Sequence, residues 1–166
     1  MNYHASEPLP FFVYGTLLPG QPNDDLWGDG ITRAEAAFLH NSHIYDMGYY
    51  PMLVSQSGGT VSGKLITVAS LAYREIMLRL DALEEYVPAR PKQSTYLRVR
   101  RRVTTKEGRR VDAWVYEGDM DLVEGMPQIL GGDWLAHISS RHGEIEIWWE
   151  SINSKFGHHK RIDGNG

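Results

Sequence analysis

Residues Ser70-Leu-Ala-Tyr-Arg-Glu-Ile-Met-Leu-Arg-Leu-Asp-Ala-Leu-Glu-Glu85 decide the fold class. Tyr73, Met77, Leu80 and Glu84 recur at i, i+4, i+7 and i+11, so they share one helical face. Ile76 and Leu83 border that stripe, and Asp81 and Glu85 fall further round, toward the polar side. Ser70 is the expected N-cap. Pro88 and Pro91 stop the helix soon after its end. This is the clearest helix in the chain.

Outward from it the sequence reads as strands and turns. Phe11-Phe-Val-Tyr14 is a short apolar run that enters the glycine-bounded loop Gly15-Thr-Leu-Leu-Pro-Gly20. Asn23-Asp-Asp25 is placed to cap a short helix over Leu26 and Trp27. Ala34 to Leu39, Ser42 to Tyr45, Met52 to Val54 and Val61 to Val68 are strand segments, with turn signals at Met47 to Pro51 and Ser57 to Thr60. Tyr96 to Thr104 and Val111 to Tyr116 pair as strands across a hairpin turn at Lys106-Glu-Gly-Arg109. A short helix or turn is expected near Leu135 to Ser140, and a late strand or docked extension at Glu144 to Trp149. One good helix among many strands, with few βαβ alternations, predicts an α+β fold with a curved or closed sheet. Gly15, Gly48 and Gly63 suit tight bends or close backbone approaches in it.

The 166 residues fit a single domain, expected over 11–156, with a flexible lead at 1–10 and a fraying tail at 157–166. A 42% hydrophobic share can build a core without staples. The absence of cysteine excludes disulfides, thiolate nucleophiles and cysteine zinc sites, and fits a reducing cytosol. The net charge of −4 leaves no overall footprint for nucleic acid. The basic run Arg98-Val-Arg-Arg-Arg102 reads as a strand with one charged, solvated face. No apolar run approaches the roughly 20 residues of a membrane span. Residues Met1 to Pro10 lack the order of a secretory signal, so the cytoplasm is the expected location.

Two features carry chemistry. Glu84 ends the apolar helical stripe, where lost hydration would raise its pKa toward the range useful for proton transfer. The plainer alternative is a carboxylate at a helix end, where the stripe meets solvent. The Tyr14-Gly-Thr-Leu-Leu-Pro-Gly20 turn could aim successive backbone N–H groups into a small concavity, with the Thr16 hydroxyl beside them. Its plainer alternative is an ordinary strand-to-loop turn.

Taken in order, Tyr14-Gly-Thr-Leu17, Ile44-Tyr-Asp-Met-Gly48 with Tyr50-Pro51, Val61-Ser-Gly-Lys-Leu65, Leu80-Asp-Ala-Leu-Glu84, Tyr96-Leu-Arg98, Ala113-Trp-Val-Tyr116 and Gly132-Asp-Trp134 resemble the γ-glutamylcyclotransferase-like, or AIG2-like, family. The resemblance runs from about Phe11 to Trp134. It implies a compact mixed β-barrel of about five to seven strands with one main packed helix. It implies that Tyr14, Gly15, Thr16 and Leu17 hold the glutamyl end of a substrate and that Glu84 is the proton shuttle. It places Tyr116 and Tyr50 among the substrate-binding residues. Many relatives have glycine after the glutamate; this chain has Glu85, a second carboxylate that could raise the Glu84 pKa further or alter substrate choice.

The implied reaction is intramolecular. The α-amine of a γ-glutamyl amine or peptide attacks its own γ-carbonyl, closing 5-oxoproline and releasing the amine. No cofactor is expected: the reaction requires no metal, and no phosphate loop, GxGxxG or nucleophile-elbow motif is present. His158-His159 lies in a polar tail, His40 and His43 would face opposite sides of a strand, and His137 and His142 lack carboxylate partners at ligand spacing. Trp134 is expected to pin a loop onto the barrel. Trp148-Trp149 would pack the C-terminal extension or meet a second subunit in a homodimer. The expected partner is a small γ-glutamyl substrate, with no nucleic acid and no membrane. A barrel that keeps the pocket for ligand binding without turnover is the alternative.

Overall fold

The computed structural model describes residues 8–90 and 94–141. Five strands occur among them: β1 (Phe11–Val13), β2 (Ile31–Asp46), β3 (Pro51–Val68), β4 (Leu97–Thr105) and β5 (Arg110–Glu117). Helix α1 (Tyr73–Leu83) lies between β3 and β4, and α2 (Trp134–Ser140) follows β5. The strands close into a barrel in the order β1-β3-β2-β4-β5. All pairs are antiparallel except the closing contact of β1 with β5, at Phe11 opposite Trp114, which is parallel. A closed mixed barrel with helices is the expected α+β architecture, and closure leaves no long open sheet edge.

The chain divides into two compact units, residues 1–134 and 135–166. The first holds the barrel. Of the second, residues 135–141 are described, as the remainder of α2 and one turn residue. The expected late strand at 144–149, Trp148-Trp149, His142, His158-His159 and the tail boundary lie outside the described residues. So do Pro91 and most of the N-terminal lead. None of the described helices is long and apolar enough to cross a membrane.

Several local expectations are revised. The segments 34–39 and 42–45 are one strand, β2, and the Ser57-Gly-Gly-Thr60 turn lies inside β3. The ladder pairs His40 with Thr60 and Ser42 with Ser55, so residues 56–59 bulge opposite the single Asn41. The glycine signal was real, but it marks a bulge in a continuing strand. Ser70 does not cap α1, which begins at Tyr73 after Ala72 and has no side-chain cap. Asn23 precedes the expected short helix, a 3-10 turn over Asp24–Trp27, but its side chain makes no cap there.

Helix α1 is held by Ile76 and Leu80, which are 2% and 0% exposed. Each such side chain stabilises its burial by about 1.5–3 kcal/mol. They join a core with Phe11, Trp27, Ile66, Met52, Tyr96 and Tyr116. Leu83, on the border of the predicted stripe, is exposed. Asp81, expected on the polar side, is buried. The segment after β5 is tied back to the sheet: Asp46 N–H donates to Pro127 O, Ile129 N–H to Ile44 O, and Ser62 N–H to Gly132 O. Trp134, at 2% exposed, closes this segment.

Candidate active site

One end of the barrel gathers the C-terminal ends of β1 and β5 and the starts of β3 and β4. Tyr14 follows β1, Tyr116 is in β5, Tyr96 precedes β4, and Pro51 begins β3. Their side chains interlock. The Tyr14 hydroxyl donates to Tyr116 O at 2.7 Å and accepts from Leu53 N–H at 3.4 Å. The Tyr96 hydroxyl donates to Pro51 O at 3.4 Å. The Tyr116 hydroxyl donates to Asp81 Oδ1 at 2.6 Å.

The loop after β1 packs on the same end. A Cβ on Gly15 would meet Pro51 Cγ at 2.6 Å, so this approach requires glycine. Leu17 is buried, and its carbonyl accepts from Trp27 Nε1 at 2.8 Å. Asn23 binds Thr16 twice, through Nδ2 to Oγ1 and through its backbone N–H to Thr16 O, both at 2.9 Å. Because Thr16 Oγ1 accepts there, its own proton remains available to a ligand. Among the described residues, no hydrogen bond uses the backbone N–H of Gly15, Thr16 or Leu17. Three successive N–H groups without acceptors suit a carboxylate or an oxyanion.

Glu84 is the C-cap of α1, and its N–H bonds Leu80 O at 3.0 Å. Past it, Glu85 N–H bonds Ala82 O and Tyr86 N–H bonds Asp81 O, the paired pattern of a Schellman closure. The residue at this turn takes a left-handed conformation, and Glu85 does so with φ 52°. This is the physical reason glycine suits the position following the glutamate. The Glu85 carboxylate accepts from Thr95 Oγ1 at 2.8 Å.

The Glu84 carboxylate is half-buried and makes no hydrogen bond or ion pair among the described residues. Burial pushes its pKa up from 4.5 to about 7. Glu85 is not a cause of that rise, which corrects the expectation that a second carboxylate would act on it. Burial also drives the Tyr14, Tyr96 and Tyr116 phenols upward, with further contributions from the neighbouring Glu84 charge. Tyr50, itself exposed, adds to the rise at Tyr96. The phenols are therefore neutral near pH 7. Their protons are engaged, and their oxygens keep lone pairs that can accept from an amine.

Of the expected residues, Tyr14 and Tyr116 feel the charge of Glu84, the Gly15–Leu17 loop follows Tyr14 in the chain, and Tyr50 is exposed next to Pro51. Sequence reasoning missed Tyr96, Asp81 and Arg98 as parts of this end of the barrel. Arg98, expected on a solvated face, has a side chain only 13% exposed, and its Nε donates to Asp81 Oδ1 at 3.0 Å. Only Arg100 and Arg102, which share Asp112, are on the expected exposed face. The signal available was the Leu80-Asp81 pair at the buried edge of the helix, with an arginine two residues after Tyr96.

A cleft of about 510 Å³ also opens between β3, β4 and the segment after β5, lined in part by Thr95, Leu97, Glu117 and Met120. It omits Glu84, and its Glu117 carboxylate is paired with Arg101, so Glu84 remains the candidate. No group of three or more metal-ligating side chains occurs among the described residues.

Residues 11–136 match the family described as Gamma-glutamyl cyclotransferase, AIG2-like. The chain belongs to this family. No curated protein matched it. Among solved structures, YkqA from Bacillus subtilis is similar at 22% identity and a TM-score of 0.61, over 81% of this chain and 42% of that one. The chain therefore spans less than half the length of YkqA. An AIG2-like protein from Mus musculus is similar at 23% identity and a TM-score of 0.55, over 72% of this chain and 84% of that one. YtfP from Escherichia coli is 28% identical with a TM-score of 0.50, over 76% of this chain and 96% of that one. At these identities YkqA and the mouse protein bear on the fold. The family match covers every expected site residue, from Tyr14 to Tyr116.

Proposed function

We propose that the protein is a γ-glutamyl cyclotransferase that releases 5-oxoproline and a free amine from a γ-glutamyl amine or peptide. The observation that carries this reading is Glu84: an unpaired, half-buried carboxylate whose pKa near 7 lets it both take and return a proton at neutral pH. A second support is the loop after Tyr14, a residue that feels the Glu84 charge, with three N–H groups that have no acceptor among the described residues.

The chemistry needs little more. The N–H groups of Gly15, Thr16 and Leu17 would hold the α-carboxylate or the developing oxyanion. The phenol oxygens of Tyr14, Tyr96 and Tyr116 would orient the α-amine by accepting from it. Folding the substrate places that amine against its own γ-carbonyl, which converts most of the barrier into positioning. The new N–C bond closes the lactam. Glu84 takes the proton lost by the amine and gives it to the leaving nitrogen as the old C–N bond breaks. A cysteine-free chain fits turnover in a reducing cytoplasm.

The test is to incubate the protein with a panel of γ-glutamyl amines and peptides and to measure 5-oxoproline. Glu84→Gln should lose turnover by about 100-fold or more with its fold retained. Wild-type turnover by that variant overturns the assignment. Saturable binding of panel members with no product from any of them favours the non-catalytic binding domain.

A further inference from the structure

The end of α1 is held to the barrel by a buried polar anchor, Asp81, that takes no part in the proposed proton transfer. Asp81 is buried, and its Oδ1 accepts from both Arg98 Nε and the Tyr116 hydroxyl. Arg98 is itself clamped, with its guanidinium carbon 4.6 Å from the Trp114 ring centroid and 5.4 Å from that of Tyr86. Trp114 Nε1 in turn donates to the Tyr73 hydroxyl, at the first turn of α1. The chain of contacts thus joins both ends of the helix to β4 and β5.

Helical geometry explains what this anchor does. At 3.6 residues per turn, Glu84 lies about 40° from Leu80 and about 60° from Asp81 around the axis. It projects between the deepest apolar anchor, Leu80, and the polar one, Asp81. Ile76 and Leu80 alone would let the helix roll about its apolar contact, because dispersion contacts are not directional. A hydrogen-bonded carboxylate on one side of Glu84 removes that freedom. The closure beyond Glu84 fixes the backbone turn through the left-handed Glu85, and its side-chain bond to Thr95 is exposed.

We propose that Asp81, held by Arg98 and Tyr116, is the positioning residue for Glu84: it fixes the roll of the last turn of α1 and keeps the Glu84 carboxylate out of bulk water. This rests on the reading of Glu84 as the acid/base, but its first test does not. Glu84 acts electrostatically on the phenols of Tyr14, Tyr96 and Tyr116, as do Tyr50 on Tyr96 and Glu117 on Tyr14. The Asp81–Arg98 pair and Glu85, bonded to Thr95, complete the set.

The test is a carboxyl-carbon NMR titration of Glu84 in the wild type, Tyr116→Phe and Asp81→Asn, with circular dichroism and thermal melts on each. The expected result is a Glu84 midpoint that falls from about 7 toward 4.5 in Tyr116→Phe as water reaches the carboxylate, and further in Asp81→Asn, where the lost Asp81 charge and the unpaired Arg98 add to the fall. Removing the Tyr116 hydroxyl without movement makes the surroundings more apolar and would raise the midpoint, so a fall is diagnostic. Folded variants that melt earlier while Glu84 titrates as in the wild type overturn the proposal. If Asp81→Asn does not fold, Tyr116→Phe decides. Turnover of Asp81→Asn is a separate readout, expected to drop about tenfold or more in kcat with little change in KM; Tyr116→Phe, which also removes a phenol proposed to orient the substrate, is read by titration alone. A wild type that forms no 5-oxoproline refutes the cyclotransferase reading, and the titration still decides the positioning role.

Discussion

Replacing Glu84 by glutamine should stabilise the protein by an amount set by pH. In the unfolded chain this carboxyl titrates near 4.5; in the fold it titrates near 7, because burial disfavours its charge. Between those values the native state holds a proton that the unfolded state has lost, so stability falls as pH rises through the window. Below it both states are protonated and the carboxyl costs nothing. Above it the full penalty is present. At about 1.4 kcal/mol per pH unit, the interval from 4.5 to about 7 gives an upper figure of about 3 kcal/mol. Glutamine is neutral throughout and escapes the penalty. Urea unfolding of both proteins should give equal stabilities near pH 4 and a gap of about 2–3 kcal/mol near pH 8.5, or roughly 5–10 °C in Tm. A gap that stays constant across pH would refute the claim that Glu84 is held against its own ionisation. The variant should gain this stability while losing turnover, as expected where a site is built at the expense of the fold.

The remaining predictions concern the loop, the helix end and the reaction. Gly15→Ala should push the loop off Pro51, where its new Cβ would lie 2.6 Å from Cγ; a loss of about 1–3 kcal/mol and a raised KM would be seen by urea unfolding and steady-state assay. Glu85→Gly should relieve the left-handed φ of 52° and lose the Thr95 contact, for a net gain of about 0.5–1 kcal/mol in urea, with 5-oxoproline formation retained. The kcat/KM of the wild type should rise from pH 5 with its half-maximum near the Glu84 pKa of about 7, since only the ionised carboxylate accepts the amine proton; a flat profile over that range would exclude Glu84 as the base.

Elements set by local signals were legible. The 106–109 hairpin turn, with Gly108 at φ 89°, lies where its Lys-Glu-Gly-Arg signature placed it. Helix α1 and the 3-10 turn ending at Trp27 lie at their expected places to within a few residues. Elements whose bounds depend on a partner strand were less so. Ser57-Gly-Gly-Thr60 carries every local mark of a turn, yet β2 runs alongside it and keeps it in the sheet as a bulge. Ser70 has the chemistry of a cap, but the chain is still turning at that point and the first helical residue comes three later.

The candidate site divides in the same way. By itself the sequence determined that a carboxylate stands at the end of an apolar helical face and that a glycine turn follows the first strand, because both depend on spacing within a few residues. Tertiary structure alone decided which phenols share the Glu84 carboxylate's surroundings. It did so by closing the barrel, which brings Tyr14, Tyr96 and Tyr116, from segments far apart in the chain, within reach of the Glu84 charge. It alone placed Asp81 inside, because a helical wheel carries no information about Arg98 on a facing strand. Burial of a charged group is repaid only by a partner, and partners at long sequence separation are fixed by packing, not by periodicity.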